Sequence, residues 1–265
     1  MQIEGSAVLV TGASSGIGAA LAPVLAARGA TVGIVARRRD RLEHVLARCR
    51  EHAPDSRLWV ADLGDLGAAE RVAVEAWDAF GGLDALVNNA AIPKRVKVID
   101  LTPVDVEHVM AVDFHSPVRM SLALLPRMAE RASGTILFVS SMGGRIPIAH
   151  EAAYNAAKYA LCGWAEAMYL DLFGSGIDVK LVLPGPIDTE IWDVPGNLPA
   201  LFDIDKVPAL ECAEGIADAL ESDAFEHYVP PKFPGGLDAK AMVVGKTQDC
   251  DAYLRAMAEF ARSLK

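Results

Sequence analysis

Short, β-branched apolar runs alternate along the chain with longer Ala- and Leu-rich stretches of helical periodicity. Apolar runs bounded by glycine or polar residues read as strands buried on both faces. The pattern predicts strands over 6–10, 31–36, 58–61, 83–87, 134–139 and 178–183, with a last one near Tyr228-Val229. Helices are predicted over 19–28, 41–52, 68–80, 105–132, 152–173, 212–220 and 252–262. Gly29 and the pair Gly81-Gly82 stand where helices should stop. Pro23 is expected near the first turns of its helix, where a missing N–H costs least. Residues 192–210, with Pro195, Gly196, Pro199 and Pro208, read as a loop or lid, and 229–236 as extended and irregular. Six strands joined by five helical crossovers predict an α/β fold: a doubly wound, mostly parallel sheet in one domain.

Composition narrows the class. The 265 residues suffice for a full core, and 52% are apolar, yet no apolar run reaches membrane-spanning length. The opening Met1-Gln2-Ile3-Glu4 is not a secretory signal. A net charge of −10, from 25 basic and 35 acidic residues, argues against a nucleic-acid surface. Cys49, Cys162, Cys212 and Cys250 are widely spaced, as expected for reduced thiols of a cytoplasmic protein. Neither HExxH, Walker A nor other metal-ligand spacing is present, so no metal site is expected.

Candidate chemistry collects at strand ends. The first strand runs into Thr11-Gly12-Ala13-Ser14-Ser15-Gly16-Ile17-Gly18 and then a helix. Glycines let backbone approach a pyrophosphate, and a helix N-terminus offers free N–H groups. The plain alternative is a tight turn. The second strand ends in Ala36-Arg37-Arg38-Arg39, with no acid before Asp40. Three cations at a helix start oppose its dipole unless an anion sits there. Asp62 contacts an adenine edge or caps the next helix. Asn88-Asn89 bonds backbone and ribose or makes a turn. Pro184-Gly185-Pro186-Ile187-Asp188-Thr189 can cover a cofactor, offering the Thr189 hydroxyl and Ile187 backbone to an amide.

Tyr154 and Lys158 are four residues apart on a predicted helix and so share a face. A nearby ammonium lowers a phenol's pKa from its usual value of about 10. Ser141 follows the strand over 134–139, at the end where ligands of parallel sheets bind. Together the three can hold a carbonyl oxygen and pass it a proton. Taken alone, the pair would be a surface pair on an amphipathic helix.

These motifs, in unbroken order over residues 6 to about 190, resemble the short-chain dehydrogenase/reductase family. Thr11-Gly12-x-x-x-Gly16-x-Gly18 is similar to its cofactor loop. Asn88-Asn89-Ala90-Ala91 resembles its NNAG motif, with Ala in the last place. Ser141, Tyr154 and Lys158 match its catalytic positions, and Pro184-Gly185 with Thr189 its nicotinamide loop. The resemblance implies a Rossmann fold over 1–265, with residues from about 190 to 265 forming a substrate lid and C-terminal extension. It implies NADP(H) in preference to NAD, because Ala36 stands where NAD users carry Asp and Arg37 follows. Gly12, Ser14, Ser15, Gly16, Ile17 and Gly18 would hold the dinucleotide, with Arg37 and Arg38 at its phosphate. Asp62, Leu63, Asn89 and Ala90 would also bind the cofactor, Asp62 at its adenine edge. Tyr154, Lys158, Pro184, Gly185, Ile187 and Thr189 would meet the nicotinamide end. Tyr154 would be the acid in reduction and the base in oxidation, Ser141 would hold the substrate oxygen, and Lys158 would bind the ribose.

One departure stands out. Val112-Asp113-Phe114-His115-Ser116 puts Asp113 where the family carries an Asn, setting a negative charge near Lys158. An ionised Asp accepts hydrogen bonds but does not donate. The apolar lid residues Ile191, Trp192, Val194, Leu198, Leu201 and Phe202 suggest a hydrophobic alcohol or ketone. Trp164, Met168, Leu172 and Phe173 suit either the core or the interface of a homodimer or homotetramer. Two competing readings remain. Gly12-Ala13-Ser14-Ser15-Gly16 also satisfies a hydrolase GxSxG elbow, although only eleven residues precede Gly12. The same fold could instead bind NADP as an inactive sensor or scaffold, marked by Asp113.

Overall fold

The computed structural model describes residues 1–201, 205–233 and 236–263. Phe202 of the expected lid, and Pro234-Gly235 of the expected irregular stretch, lie outside the described residues. The main sheet comprises β1 (Ala7–Thr11), β2 (Thr31–Ala36), β3 (Arg57–Val60), β4 (Ala85–Asn88), β5 (Gly134–Val139) and β6 (Ile177–Pro184). Short strands β7 (Ile187–Asp188) and β8 (Val207–Pro208) pair with each other, and β9 (Glu226–Val229) returns to the main sheet. Its order is β3-β2-β1-β4-β5-β6-β9, with every pairing parallel.

Parallel neighbours need long crossovers. These are α1 (Gly16–Ala27), α2 (Arg39–Arg50), α3 (Leu66–Phe80), α4 (Pro103–Met110) running into α5 (Ser116–Glu130), α6 (Ala152–Leu172) and α7 (Ala209–Glu221). They cover both faces. Val8 and Val10 of β1 point into one core with Leu21, Leu25 and Ile216. Leu9 points into the other with Leu86, Met120 and Phe138. Burying such a side chain contributes about 1.5–3 kcal/mol, whereas an exposed ion pair contributes about 0–1 kcal/mol. The two-sided core therefore holds the scaffold. Strand order reverses between β1 and β4, which opens a crevice at their C-terminal ends.

Four local expectations change. Helix α1 starts at Gly16, so Pro23 lies well inside it; there it is buried and leaves the Ala19 carbonyl without its helical donor. The stretch read as one helix over 105–132 is interrupted by a π-helical segment, Ala111–His115, between α4 and α5. Periodicity misses it because the wider turn inserts a residue without breaking the apolar stripe. Helix α8 (Ala239–Gln248) precedes α9 (Cys250–Ser263) and was not expected, since its apolar periodicity is weak. Asp62 caps no helix: its Oδ1 accepts from Gly64 N at 2.9 Å, and the cap of α3 is Asp65.

Candidate active site

The glycine turn is built for close approach. Gly12 has φ +69°, and a Cβ there would lie 2.7 Å from Ala90 Cα. A Cβ on Gly18 would lie 2.6 Å from both Asn89 Nδ2 and the Gly12 carbonyl oxygen. Thr11 ties the two strand ends together. Its hydroxyl donates to the Val87 carbonyl at 3.3 Å and accepts from Asn89 N at 2.9 Å and Ala90 N at 3.0 Å. Asn89 Nδ2 donates to the Thr11 carbonyl at 2.8 Å. Asn89 thus bonds backbone, while Asn88 turns inward toward Ser121. Ala91 keeps a negative φ, so the last position of this motif needs no glycine.

Helix α1 begins at this turn without a side-chain cap on Ser15 and without an acid in its first turn. By contrast, α3, α4 and α8 are capped by Asp65, Thr102 and Asp238. An uncapped helix N-terminus beside hydroxyls and guanidinium suits phosphate. Arg38 supplies that guanidinium. Its Nη2 donates to Ser15 Oγ at 2.7 Å and Ser14 Oγ at 3.1 Å, and its Nη1 lies 3.1 Å from Glu190 Oε2. Glu190 also pairs with Arg41, and these two guanidinium groups hold its carboxyl below the usual range. Arg37 is exposed and, among the described residues, makes no ion pair or hydrogen bond. The donor set therefore fits the phosphates of a dinucleotide, with Arg38 rather than Arg37 seated on the loop. Asp62 is exposed and Leu63 buried at the end of β3, one strand further out.

Across the crevice, Ser141 begins a short 3-10 turn, Met142–Gly144, where its Oγ accepts from Gly143 N at 3.0 Å. That bond uses Ser141 Oγ as an acceptor and leaves its hydroxyl proton available to donate. Tyr154 is half-buried in the first turn of α6. Lys158, one turn on and 1% exposed, donates to the Val139 carbonyl at 3.3 Å, its ammonium 5.5 Å from the centre of the Tyr154 ring. Asp113 is fully buried. Its Oδ1 accepts from Ile92 N at 2.9 Å, and its Oδ2 lies 3.5 Å from Lys158 Nζ with no hydrogen bond of its own. That separation makes the pair chiefly Coulombic.

Burial, opposed by Lys158 and by the Ile92 hydrogen bond, pushes the Asp113 carboxyl up to about 6. Burial also pushes the Tyr154 phenol above its ordinary value, and the Asp113 charge adds to that rise. The direction for Tyr154 is therefore upward, opposite to that expected from Lys158 alone: desolvation of a phenolate is the main cause and the Asp113 charge adds to it.

The loop after β6 closes the arrangement. A Cβ on Gly16 would lie 3.0 Å from Thr189 Cγ2, and one on Gly185 would lie 2.2 Å from Phe233 Cε1. Ile187 is buried in β7, and Pro184 ends β6. The hydrolase reading fails here. Ser14 Oγ accepts from Arg38, and the nearest bond of His227 is to the Ala224 carbonyl at the sheet edge. Of the four candidate interface residues, Met168 is buried, Trp164 and Leu172 pack against the core, and Phe173 is exposed. Sequence reading missed Glu190, Arg41, Arg95 and Glu151, and took Thr11 only as the start of the glycine-loop motif. Glu190 adjoins the loop that ends at Thr189, but nothing local marks the other three. Among the described residues, no helix is long and apolar enough to cross a membrane, and no cluster of His, Cys, Asp or Glu could hold a metal.

A parallel sheet in this order, with a glycine-rich turn at its reversal point, defines a doubly wound dinucleotide-binding fold of the Rossmann type. The family model described as short chain dehydrogenase matches residues 6–195. The chain belongs to the short-chain dehydrogenase/reductase family. It is 36% identical over 195 residues to a dehydrogenase/reductase SDR family protein 7-like of Drosophila melanogaster, a match covering 72% of this chain and 60% of that protein's length. Among solved structures it resembles a short-chain dehydrogenase from Sphingobium yanoikuyae in complex with NADPH. That likeness has TM-score 0.77 and 29% identity, covering 85% of this chain and 88% of the other. A short-chain dehydrogenase/reductase from Burkholderia phymatum in complex with NAD shares the fold, with TM-score 0.84 and 21% identity over 95% and 96% of the two chains.

Proposed function

We propose that this protein is an NADP(H)-dependent oxidoreductase that interconverts a hydrophobic secondary alcohol and its ketone. The observation that carries the reading is the convergence of Ser141, Tyr154 and Lys158 beside the glycine turn, at the C-terminal ends of β1, β4 and β5. A bound nicotinamide would supply or accept the hydride. The Ser141 hydroxyl donates to the substrate oxygen. In reduction, Tyr154 Oη gives its proton to that oxygen as the carbonyl becomes an alcohol; in oxidation, the phenolate takes it back. Lys158 holds the ribose and favours the phenolate, while Asp113 opposes it. A phenol held above its ordinary pKa is protonated at neutrality, which suits reduction there and oxidation only in alkali.

Arg38, seated on Ser14 and Ser15, with Arg37 exposed beside it, supports NADP over NAD. Gly12, Gly16, Ile17 and Gly18 would cradle the pyrophosphate, and Asp62, Leu63, Asn89 and Ala90 would make further contacts to the cofactor. Pro184, Gly185, Ile187 and Thr189 would cover the nicotinamide. Residues 1–265 act as one unit, with those from about 190 onward as substrate lid and extension. The half-buried Ile191, Trp192, Val194, Leu198 and Leu201 support an apolar substrate. The relative of known NADPH complex supports the cofactor class. Buried, free Cys49, Cys162 and Cys212 support a cytoplasmic home, and the exposed Phe173 and Leu170 support a homodimer or homotetramer.

A second reading, a weak or inactive NADP-binding sensor, is favoured by one observation: Asp113 already pairs with Lys158. Loss of NADPH absorbance with a panel of ketones and aldehydes tests the two. Binding of NADPH without consumption across the panel would decide for the sensor.

A further inference from the structure

Arg95 belongs to none of the motifs above. It follows β4, and its side chain is 4% exposed. A guanidinium cannot shed its charge, so such burial demands partners. They come from two distant parts of the chain. Nε donates to Glu151 Oε1 at 2.7 Å, and Glu151 is itself 9% exposed. Nη1 donates to the Leu198 carbonyl at 3.1 Å. The Arg95 backbone adds two bonds: its N donates to Asn197 Oδ1 at 2.6 Å, and its carbonyl accepts from Leu198 N at 2.7 Å. The guanidinium also lies 5.0 Å from the centre of the Trp192 ring, whose Nε1 donates to the Ile187 carbonyl at 2.7 Å.

Two features give this cluster a direction. Among the described residues, the hydrogen bonds that 193–201 makes beyond 190–201 all go to Arg95. At the other end, Glu151 immediately precedes α6, and its carbonyl accepts from Asn155 N at 2.7 Å. The ion pair therefore joins the segment after Thr189 to the turn that presents Tyr154. Segment 193–201 is otherwise proline- and glycine-punctuated loop with little secondary structure to hold it.

We propose that Arg95 is a positioning residue: its buried guanidinium fork clamps segment 190–201 onto the start of the Tyr154 helix and so sets the wall of the substrate pocket. Glu151 takes Nε and the Leu198 carbonyl takes Nη1, so the Arg95 charge is balanced within the protein by Glu151. The wall it holds is Trp192 and Leu198, which admits an apolar group beside the reacting carbon. This rests on the assignment of Tyr154 as the proton-transfer residue.

The test uses the full chain with Arg95→Lys, Arg95→Met and the double variant Arg95→Met/Glu151→Gln, which leaves no unpaired buried charge. Limited chymotrypsin digestion, read by mass spectrometry, follows cleavage after Trp192 and Leu201. Losing a charge-assisted hydrogen bond from a marginally held loop should speed cleavage there by about tenfold. Arg95→Lys keeps the charge but not the fork, so it should retain the wild-type melting temperature and still cleave faster in this segment. With NADPH and aryl ketones, KM should rise by a larger factor than kcat falls. Wild-type cleavage rates in the double variant, or faster cleavage spread evenly over the whole chain, would overturn the clamp. If the wild type turns over no ketone, the functional reading fails, while the digestion still decides the clamp.

Discussion

Two ion-pair clusters flank the crevice, and they differ chiefly in water. Asp113 and Lys158 are 0% and 1% exposed at their side chains, whereas Arg38, Arg41 and Glu190 are 41%, 42% and 55% exposed. Two unit charges 4 Å apart interact by about 4 kcal/mol at an effective dielectric of 20, but by about 1 kcal/mol in water. In the buried cluster loss of water raises Asp113 to about 6 against the pull of Lys158, and it raises Tyr154 too, with the weakly screened Asp113 charge adding to that second rise. In the exposed cluster the same chemistry leaves a set of donors that an incoming anion can rearrange cheaply. Under the proposed function, burial suits one cluster to tuning proton transfer and exposure suits the other to choosing a ligand.

The largest expected effect lies on the buried side. Tyr154→Phe keeps the ring and removes the proton, so turnover should fall by ~10²–10⁴-fold while NADPH binding, read by fluorescence titration, stays near wild type. Near-normal turnover would take Tyr154 out of the reaction.

Asp113→Asn comes next. Above about pH 6 Asp113 is ionised and opposes the phenolate. Removing that charge should lower the Tyr154 pKa, so alcohol oxidation should switch on at a pH lower by about one to two units. Reduction near neutrality, which uses the protonated phenol, should change little. Superimposable oxidation profiles would show that the charge does not reach Tyr154.

On the exposed side, Arg38→Ala should raise the NADPH Kd by about tenfold and that of NADH far less. Arg37→Ala should act in the same direction but more weakly, since Arg37 is not seated on the loop. Equal losses for both cofactors would mean that neither residue reads the extra phosphate. Raising the salt concentration should shrink the Arg38 effect and leave the Asp113 effect in place, because only the former is open to screening.

The smallest effect should come from Glu190→Gln. The carboxylate competes with a phosphate for Arg38 and Arg41, so its removal should tighten NADPH binding by about two- to fivefold, a typical range for an exposed charge. Weaker NADPH binding would mean that Glu190 orients the arginines instead of competing for them.

Much of this was legible before the coordinates. Strand and helix identities follow from local periodicity, because a parallel sheet covered on both faces needs continuous apolar strands. The glycine turn, Ser141, Tyr154 and Lys158 were legible because each sits within a few residues of the element that positions it. Arg38 was legible as part of a basic run, but its precedence over Arg37 was not. That depends on which side chain turns toward Ser14 and Ser15 as α2 begins.

By itself, then, the sequence determined the doubly wound sheet, the glycine-rich turn at its reversal point and the family, all encoded in short-range spacing. Only the tertiary structure decided the sign of the Tyr154 shift, the π-helical turn that places Asp113 against Lys158, the Glu190 bridge and the Arg95–Glu151 clamp. Each of these depends on burial or on contacts between residues far apart in the chain. A desolvation cost or an ion pair exists only once folding has removed the water and closed the distance.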